Sequence, residues 1–188
     1  MRTQHRGREK LPRLILALAA LLYSSFGGAA AASQPSAPDA EHAAILAVVD
    51  RFMIAVSTND AATLAALHYP GGSNVVERPA ESDGAAAAGA KARGTVITRR
   101  VFNPDSLRTG TYRERYWDPI VHVRGSIAVV WTPYEFWRDG KTTHCGVDVF
   151  DMVKEQGAWL IANTMWTVEP DACPALRPKD PARVRPTP

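Results

Sequence analysis

A helical pattern opens the part of the chain that follows residue 40. Apolar residues recur at positions 45, 48, 49, 52 and 56, which is the spacing of one buried helix face. This spacing predicts an amphipathic helix over 41–57. Asn59 or Asp60 is placed to cap a second, short helix that ends at Leu67.

Beyond residue 110 the pattern changes to strands. Runs rich in β-branched and aromatic residues are separated by Gly-containing pairs that suit tight hairpins, namely Arg124-Gly125, Asp139-Gly140 and Gln156-Gly157. Helices followed by a strongly bent antiparallel meander favour an α+β fold in which the sheet wraps around the helices. The four predicted strands cover residues 111–123, 126–137, 142–153 and 158–168.

Other stretches carry no regular pattern. The Ser/Pro/Ala composition of 33–40 predicts a linker, and the YPGG sequence at 69–72 breaks the chain. Segments 79–94 and 95–108 are mixed, so a poor helix and a mobile loop both stay open. The proline-rich residues 174–188 predict a disordered tail.

Residues 1–32 have the parts of a secretory signal peptide. Five basic residues precede an apolar run from Leu14 to Tyr23, and small residues up to Ala32 end in an A-x-A-like site. The alternative, a membrane anchor, is disfavoured because the apolar run falls short of the roughly 20 residues that cross a bilayer. We therefore expect a periplasmic or secreted protein that has no membrane partner once the signal peptide is cleaved.

The charge distribution argues against a nucleic-acid partner. The 188 residues carry a net charge of +3, but residues 33–173 contain thirteen Lys or Arg against seventeen acids. The excess of basic charge therefore lies at the two ends of the chain, whereas nucleic-acid binding requires it on the folded body.

The two cysteines suggest a disulfide. Cys145 and Cys173 lie 28 positions apart, and an even cysteine count in an oxidising compartment favours pairing. Two unpaired thiols stay open as the alternative. A catalytic cysteine is less favoured, since the neighbouring His144 points to the opposite side of a strand.

The hairpin turns predict which residues share a face of the sheet. Two-residue loops place Trp131 opposite Asp118 and Asp148, and Glu135 opposite His144, unless a bulge shifts the register. One face then mixes polar and aromatic side chains: Glu114, Tyr116, Asp118, Trp131, Glu135, His144, Asp148 and Phe150. The other is more uniformly apolar: Trp117, Val130, Tyr134, Phe136, Cys145, Val147 and Val149.

Pockets combine apolar walls with a few placed polar groups, so we assign the mixed face to a cavity and the apolar face to a homodimer interface. The reverse assignment stays open. In the predicted register the Glu135 carboxylate faces the His144 imidazole at about 5 Å between Cβ atoms, which suits a general acid or base. A structural pair at a hairpin end is the alternative.

A second group of side chains could hold a substrate. Tyr116 with Asp118 or Asp148, near Trp131, is placed to bind a substrate oxygen and stack an aromatic ring. Asp118 precedes Pro119, so local hydrogen bonds in a turn are the alternative for that residue. The histidines show no metal-ligand spacing, and no nucleotide-binding or dithiol motif is present, so we expect neither a metal nor a cofactor.

Five short segments carry a family likeness: WTPYEFW at 131–137, DGK at 139–141, HCGVDVF at 144–150, WLI at 159–161 and WTV at 166–168, before Cys173. They resemble exported bacterial proteins of the nuclear transport factor 2-like superfamily, which includes ketosteroid isomerase and the SnoaL-like cyclases. The resemblance implies a cone-shaped α+β barrel over 41–173. In such a barrel N-terminal helices pack against a strongly curved antiparallel sheet around a deep pocket, often in a dimer.

The same resemblance implies the activity that we expect. Enzymes of this superfamily use an Asp, His or Tyr inside the cone for proton transfer, so we expect a cofactor-independent lyase, dehydratase or isomerase acting on a small organic ligand. A non-catalytic ligand-binding or dimerisation module is the alternative. Asp50 departs from the dehydratase-like pattern, because it lies off the apolar stripe and should face solvent. The expected catalytic residues are His144, Asp148 and Tyr116, and the expected substrate-binding residues are Asp118, Trp131, Glu135 and Phe150.

Overall fold

The computed structural model describes residues 37–80, 95–103 and 109–186. The first helix, α1, spans Ala37–Thr58 and buries Ile45, Val49 and Met53, as the apolar stripe predicts. It begins four residues before 41, so the second half of the predicted linker 33–40 is helical. The predicted signal peptide lies outside the described residues, and no helix among the described residues is long and apolar enough to span a bilayer.

The short second helix, α2, spans Ala61–Leu67 and begins as predicted. The Asp60 carboxylate accepts a hydrogen bond of 3.0 Å from the backbone N–H of Thr63, which satisfies one of the open donors at the helix start. Leu64 and Leu67 are buried.

The remaining chain forms one large, curved, unclosed sheet, which confirms the α+β class. The strands are β1 (His68–Pro79), β2 (Thr95–Val101), β3 (Tyr112–Trp117), β4 (Ile120–Arg124), β5 (Ile127–Arg138), β6 (Lys141–Glu155), β7 (Ala158–Thr167) and β8 (Val184–Arg185). Their hydrogen-bonded order is β2-β1-β7-β6-β5-β3-β8, and β4 also pairs with β5. The antiparallel meander β5-β6-β7 is as predicted, whereas β1 lies parallel to β7.

Two predictions about strand boundaries are wrong. The run 111–123 is two strands, because Asp118, at φ +49°, turns the chain before Pro119. The YPGG segment at 69–72 does not end an element but lies inside β1, where the pairing with β7 is irregular between His68 and Ser73. Of the undecided segments, 95–101 is strand β2, and 81–94 lies outside the described residues.

The predicted register of the central hairpin is wrong by one residue over most of its length. Near the turn Trp137 pairs with Thr142, but Phe136 pairs with His144, so Thr143 is a one-residue bulge. Beyond the bulge, Glu135 lies opposite Cys145 and not opposite His144. Because side chains alternate along a strand, this single insertion moves every β5 side chain to the other face relative to β6.

The bulge decides which residues share a face. Because of it, Trp131 lies opposite Val149 and not opposite Asp148 as predicted. On its other side Trp131 lies opposite Ile120 and not Asp118, because the turn after β4 is Gly125-Ser126, one residue later than the predicted Arg124-Gly125. The face toward the helices, called here the inner face, carries these residues of β3, β5 and β6: Glu114, Tyr116, Thr132, Tyr134, Phe136, His144, Asp148 and Phe150. The outer face carries Trp117, Trp131, Glu135, Cys145, Val147 and Val149.

The core lies between α1 and one end of the inner face. Ile45, Val49 and Met53 of α1 pack with Val130 and Met152 of the sheet in one buried apolar cluster. Burying an aliphatic side chain of this size contributes about 1.5–3 kcal/mol, so this cluster fixes the helix on the sheet.

The segment 173–186, called here the C-terminal strap, is ordered, and the predicted disorder of the tail is wrong over these residues. It contains the helix α3 (Cys173–Leu176), a 3-10 turn at Pro181–Arg183, and β8, which pairs with β3. Cys145 and Cys173 form the disulfide that the cysteine count favours, which ties the start of the strap to β6.

Charge explains why a proline-rich segment is ordered here. Prolines remove backbone donors but leave side chains free to pair, and three arginines of the strap reach acids on three different parts of the body. These ion pairs are Arg177–Glu135, Arg183–Asp118 at 2.5 Å and Arg185–Asp50 at 2.6 Å.

Candidate functional site

A cavity of about 740 Å³ lies between the helices and the part of the inner face that the apolar core leaves uncovered. That volume falls in the range of small-molecule sites, which is roughly 300–1,000 Å³. Its aromatic walls are Phe52, Phe102, Tyr134, Phe136, Phe150 and Trp166. Its ionisable residues, among the described residues, are Arg78, Arg100, Glu114, Tyr134, His144 and Asp148.

Asp148 is the most unusual polar residue of the cavity. It lies opposite Thr132 and Trp166 in the centre of the sheet, the whole residue is 6% exposed, and its Oδ2 is buried without a hydrogen-bond partner. Burial, and then the nearby Glu114 carboxylate, raise the pKa of Asp148 well above its ordinary value. The raised pKa favours the protonated carboxylic acid, the form that can donate a hydrogen bond into the cavity.

His144 lies on the same strand and also faces the cavity. Its ring stacks on Phe136, with centroids 5.4 Å apart, and meets the Tyr134 ring edge-on at 5.6 Å. Burial, and then the positive charge of Arg78, lower the pKa of His144 to about 4. The imidazole is therefore uncharged at neutral pH.

The Thr143 hydroxyl contacts the ring of His144. It lies 2.8 Å from Nδ1 of His144 and 3.2 Å from the carbonyl oxygen of Phe136, to which it can donate. In the tautomer in which the Nδ1–H donates to this hydroxyl, Nε2 is a bare acceptor. The bulged residue thus both places His144 on the inner face and orients its ring.

Tyr116, predicted as a catalytic residue, does not line the cavity, so that prediction is wrong. It is fully buried under α1, where its hydroxyl donates a hydrogen bond of 2.6 Å to Asp50. Burial, and then that hydrogen bond, raise the pKa of Tyr116 far above its ordinary value. Asp50 also accepts hydrogen bonds from Arg185, and its side chain, expected to face solvent, is only 24% exposed.

Three other predicted binding residues lie away from the cavity. Glu135, on the outer face because of the bulge, is fully buried and binds Arg115, Arg177 and Thr142. Trp131 is 48% exposed on the same outer face. Asp118 lies in a turn before Pro119, which is the alternative given above for this residue, and it pairs with Arg183.

Of the eight residues predicted on the mixed face, the structure therefore brings Glu114, His144, Asp148 and Phe150 together at the cavity. The assignment of Tyr134 and Phe136 to the opposite, apolar face is wrong, since both are walls of the same cavity. The inner face, with its mixed polarity, does look onto the cavity as expected.

Sequence reasoning missed Arg78. It lies on β1, a strand that no sequence pattern indicated, and it lines the cavity with its Nε buried and without a hydrogen-bond partner. The signal that could have indicated Arg78 is the alternation that puts Val76 and Arg78 on one side of a strand. The consecutive valines at 75–76 and the glycines at 71–72 concealed this alternation.

His68 lies directly behind the cavity wall. Its Nδ1 donates a 2.7 Å hydrogen bond to the carbonyl oxygen of Leu64, and its ring stacks on Phe102. This tautomer leaves Nε2 as an acceptor, which is buried without a partner. Burial lowers the pKa of His68, so the ring is a neutral part of the wall.

One group of three possible metal ligands occurs among the described residues: Glu135, Cys145 and Cys173. Both sulfurs are in the disulfide and the carboxylate is held by two arginines, so this group is structural.

Comparison with solved structures identifies the architecture as the nuclear transport factor 2-like fold. A protein of unknown function from Mycobacterium tuberculosis is 17% identical, with a TM-score of 0.54 over 74% of this chain and 79% of that one. A nuclear transport factor 2-like protein from Salmonella enterica is 18% identical, with a TM-score of 0.51 over 71% and 94%. A candidate aromatic ring hydroxylase from Novosphingobium aromaticivorans is 14% identical, with a TM-score of 0.52 over 71% and 92%.

No protein-family model matches the sequence, and no curated protein is significantly similar to it. The structural similarities, all below 20% identity, establish the fold and its pocket. Function has to be argued from the residues of the site, since one fold hosts many chemistries.

Proposed function

We propose that the cavity binds a small organic molecule with an aromatic or otherwise apolar surface. We propose further that the protein catalyses a proton transfer on it without a cofactor, as a lyase, dehydratase or isomerase does. One observation carries this proposal: a buried carboxyl group, Asp148, lines the cavity with an oxygen that has no hydrogen-bond partner among the described residues. A buried polar atom without a partner costs free energy, and a ligand oxygen would recover it.

Asp148 and His144 have complementary roles in this proposal. The protonated Asp148 donates to an oxygen on which negative charge develops, and the bare Nε2 of His144 accepts a proton from the ligand. The two residues are four positions apart on one strand, roughly 13 Å along it, so they address opposite ends of a bound molecule. Phe150 and Trp166 supply apolar wall beside them.

The test is exchange of ligand protons in deuterated water. The full chain is incubated with cyclic enones, aryl ketones and β-hydroxy ketones, and deuterium incorporation is followed by NMR for the wild type, Asp148→Asn, His144→Gln and the control Asp151→Asn. Asp151 lies on the same strand but does not line the cavity. We expect exchange with the wild type and the control and a loss of about a hundredfold in the two site variants. Equal rates in all four proteins would remove the site assignment.

A non-catalytic binding function is the second candidate, and the environment of His144 favours it. An imidazole with a pKa of about 4 is a weak base at neutral pH. Binding of a probe without exchange in any variant would select this second function.

We also propose that the protein is exported and acts in the periplasm or outside the cell. The Cys145–Cys173 disulfide supports this proposal, because such bonds persist in oxidising compartments. Cell fractionation with sequencing of the mature N-terminus tests it, and the expected result is a chain that begins at Ser33. A full-length chain in the cytoplasmic fraction would overturn it.

Finally, we propose that two copies pair through the outer face of the sheet. Apolar side chains lie in one row across four neighbouring strands, with Ile120 opposite Trp131, Trp131 opposite Val149 and Val149 opposite Met165. Ile120, Trp131 and Met165 are exposed, and Val149 is half-buried. A contiguous apolar patch of this kind on a folded surface is typical of an interface.

A further inference from the structure

The position of Arg78 indicates which ligand the cavity takes. On the inner face, Val76, Trp166 and Asp148 lie side by side on β1, β7 and β6. Arg78 is two residues further along β1 and therefore on the same side of the sheet, in the next row of side chains. The backbones of Arg78 and Asp148 are thus two strand spacings apart across the sheet and two residues apart along it, about 12 Å in all, and both side chains line the cavity.

The Nε–H of Arg78 is a hydrogen-bond donor with no acceptor. Its nitrogen is buried, and no described protein group accepts from it. A guanidinium offers Nε–H and a neighbouring terminal N–H as a parallel pair, which matches the two oxygens of a carboxylate. An arginine with an unsatisfied Nε–H on a cavity wall is therefore arranged for a planar anion bound from the side.

The charge balance of the wall also favours an anion. Among the described lining residues, the charged side chains are the guanidinium groups of Arg78 and Arg100 and the carboxylate of Glu114. The lowered pKa of His144 and the raised pKa of Asp148 both favour the uncharged forms of these two side chains. A cationic ligand would meet the two guanidinium groups, whereas an anionic one gains an unsatisfied donor. The aromatic walls accept a flat apolar body between the polar ends.

We infer that the ligand is an aromatic carboxylic acid that carries a second oxygen, with its carboxylate on Arg78, its ring between the aromatic walls and its other oxygen on Asp148. This inference rests on the proposed function, because it names the ligand class of the same cavity. One aromatic ring substituted at both ends spans the distance between the two polar groups.

The test uses probes matched in shape and different in charge. Quenching of tryptophan fluorescence, with calorimetry, gives the affinities of 4-hydroxybenzoate, 4-hydroxycinnamate, their methyl esters and 4-hydroxybenzylamine for the full chain. We expect both acids to bind at least about tenfold more tightly than their esters and than the amine, as one charge-assisted pair provides. Rising salt should weaken the acids and leave the esters unchanged.

Two variants of Arg78 and one control identify the residue responsible. Arg78→Gln should abolish the preference for the acid over its ester, and Arg78→Lys, which keeps the charge but lacks the Nε donor, should retain only part of it. The control is Arg99→Gln, an exposed arginine of β2 that does not line the cavity, and it should behave as the wild type. Circular dichroism confirms that each variant is folded.

The possible failures are distinct. Equal binding of acid and ester by the wild type, or a preference that survives in Arg78→Gln, would overturn the inference. If in that case the esters still bind and Asp148→Asn weakens ester binding, the proposed function stands and only the requirement for a carboxylate on the ligand is lost. Tighter binding of the amine would overturn the inference in favour of Glu114 as the selecting charge. Absence of binding by every probe would overturn both proposals.

Discussion

The ring of Tyr134 lies across Gly146, the residue that faces it on the neighbouring strand. A Cβ atom at Gly146 would fall 2.8 Å from Cε1 of Tyr134 and 2.1 Å from the carbonyl oxygen of Thr167. That same carbonyl oxygen accepts the Tyr134 hydroxyl at 2.7 Å. The missing side chain at Gly146 therefore gives the tyrosine its position between His144 and Asp148, the two residues of the candidate site on β6.

Substituting Gly146 should destabilise the protein. In Gly146→Ala the new methyl group meets backbone on one side and a buried ring on the other, so we expect a loss of about 2 kcal/mol or more in the free energy of unfolding. Urea denaturation measures it, with Lys141→Ala in the same strand as the control for an exposed alanine substitution. A Gly146→Ala protein as stable as the wild type would contradict the packing described here.

Asp148→Asn should stabilise the protein at neutral pH. The folded state holds the Asp148 proton more tightly than the unfolded chain does, because its pKa is raised, so ionisation of the unfolded chain favours unfolding as the pH rises. The variant lacks this penalty. We expect it to be more stable than the wild type at pH 8 by about 1.4 kcal/mol per unit of pKa difference, and equal to it below pH 4.

Thermal denaturation from pH 3 to pH 8 measures the effect, and Asp151→Asn, on the outer side of the same strand, serves as the control. A gain for Asp148→Asn that grows toward acid pH would show that Asp148 is ionised in the folded protein. A residue kept for function at the cost of stability is expected to behave as predicted here.

Removing both arginines that bind Glu135 should cost far more than removing a surface pair. Burial opposes ionisation of Glu135, but hydrogen bonds from Arg177, Thr142 and Arg115 prevail and lower its pKa. The double variant Arg115→Gln, Arg177→Gln leaves a buried carboxylate with one hydroxyl partner, so we expect a loss of about 3 kcal/mol or more at pH 7.

The loss of stability in the double variant should depend on pH, in a direction that follows from the lowered pKa of Glu135. A lowered pKa means that the wild-type stabilisation is present above pH 4.5, the ordinary value for Glu135, and is lost as the pH falls through the folded-state pKa. The deficit of the double variant should therefore shrink in acid. Arg138→Gln, which removes an exposed pair with Asp139, is the control and should lose less than about 1 kcal/mol.

Trp131 tests the proposed dimer. Trp131→Glu places a charge in the centre of the apolar row. We therefore expect the dissociation constant of the variant dimer to be at least about tenfold larger than that of the wild-type dimer. Sedimentation velocity over a concentration series measures it. The control is Ile54→Glu, since Ile54 is 47% exposed on α1 and Trp131 is 48% exposed on the sheet. A monomeric wild type, or equal effects of both variants, would refute this interface.

Local patterns predicted those parts of the fold that local patterns determine. The apolar stripe of α1, the Asp60 cap of α2 and the turns at Asp139-Gly140 and Gln156-Gly157 each act within a few residues, and the structure confirms them. The third predicted turn, Arg124-Gly125, is wrong by one residue, since the loop is Gly125-Ser126. The fold family followed from the segments around 131–168, and the disulfide from the cysteine count. His144, Asp148 and Phe150 do line the cavity. All three follow the bulge on β6 and are separated by even numbers of residues, so their side chains share one face whatever the register with β5.

The errors come from features that depend on distant contacts. The bulge at Thr143 cannot be read from alternation, because each strand alternates correctly on its own and only their relation changes. Strands β1 and β7 pair although they are far apart in the sequence. Gly72 permits this pairing because its backbone lies close to Ala162: a Cβ atom at Gly72 would lie 2.5 Å from the carbonyl oxygen of Ala162. A glycine that allows close pairing has the same local signature as one that ends a strand.

Strand β8 has a consequence for the solubility of the folded protein. Val184 and Arg185 pair with Trp117 and Tyr116, so the strap occupies the rim of the sheet next to the aromatic end of β3. An open rim presents a row of unsatisfied N–H and C=O groups to which strands of other molecules can add. Besides holding Asp50 and Glu135, the strap therefore protects the folded protein from edge-to-edge aggregation.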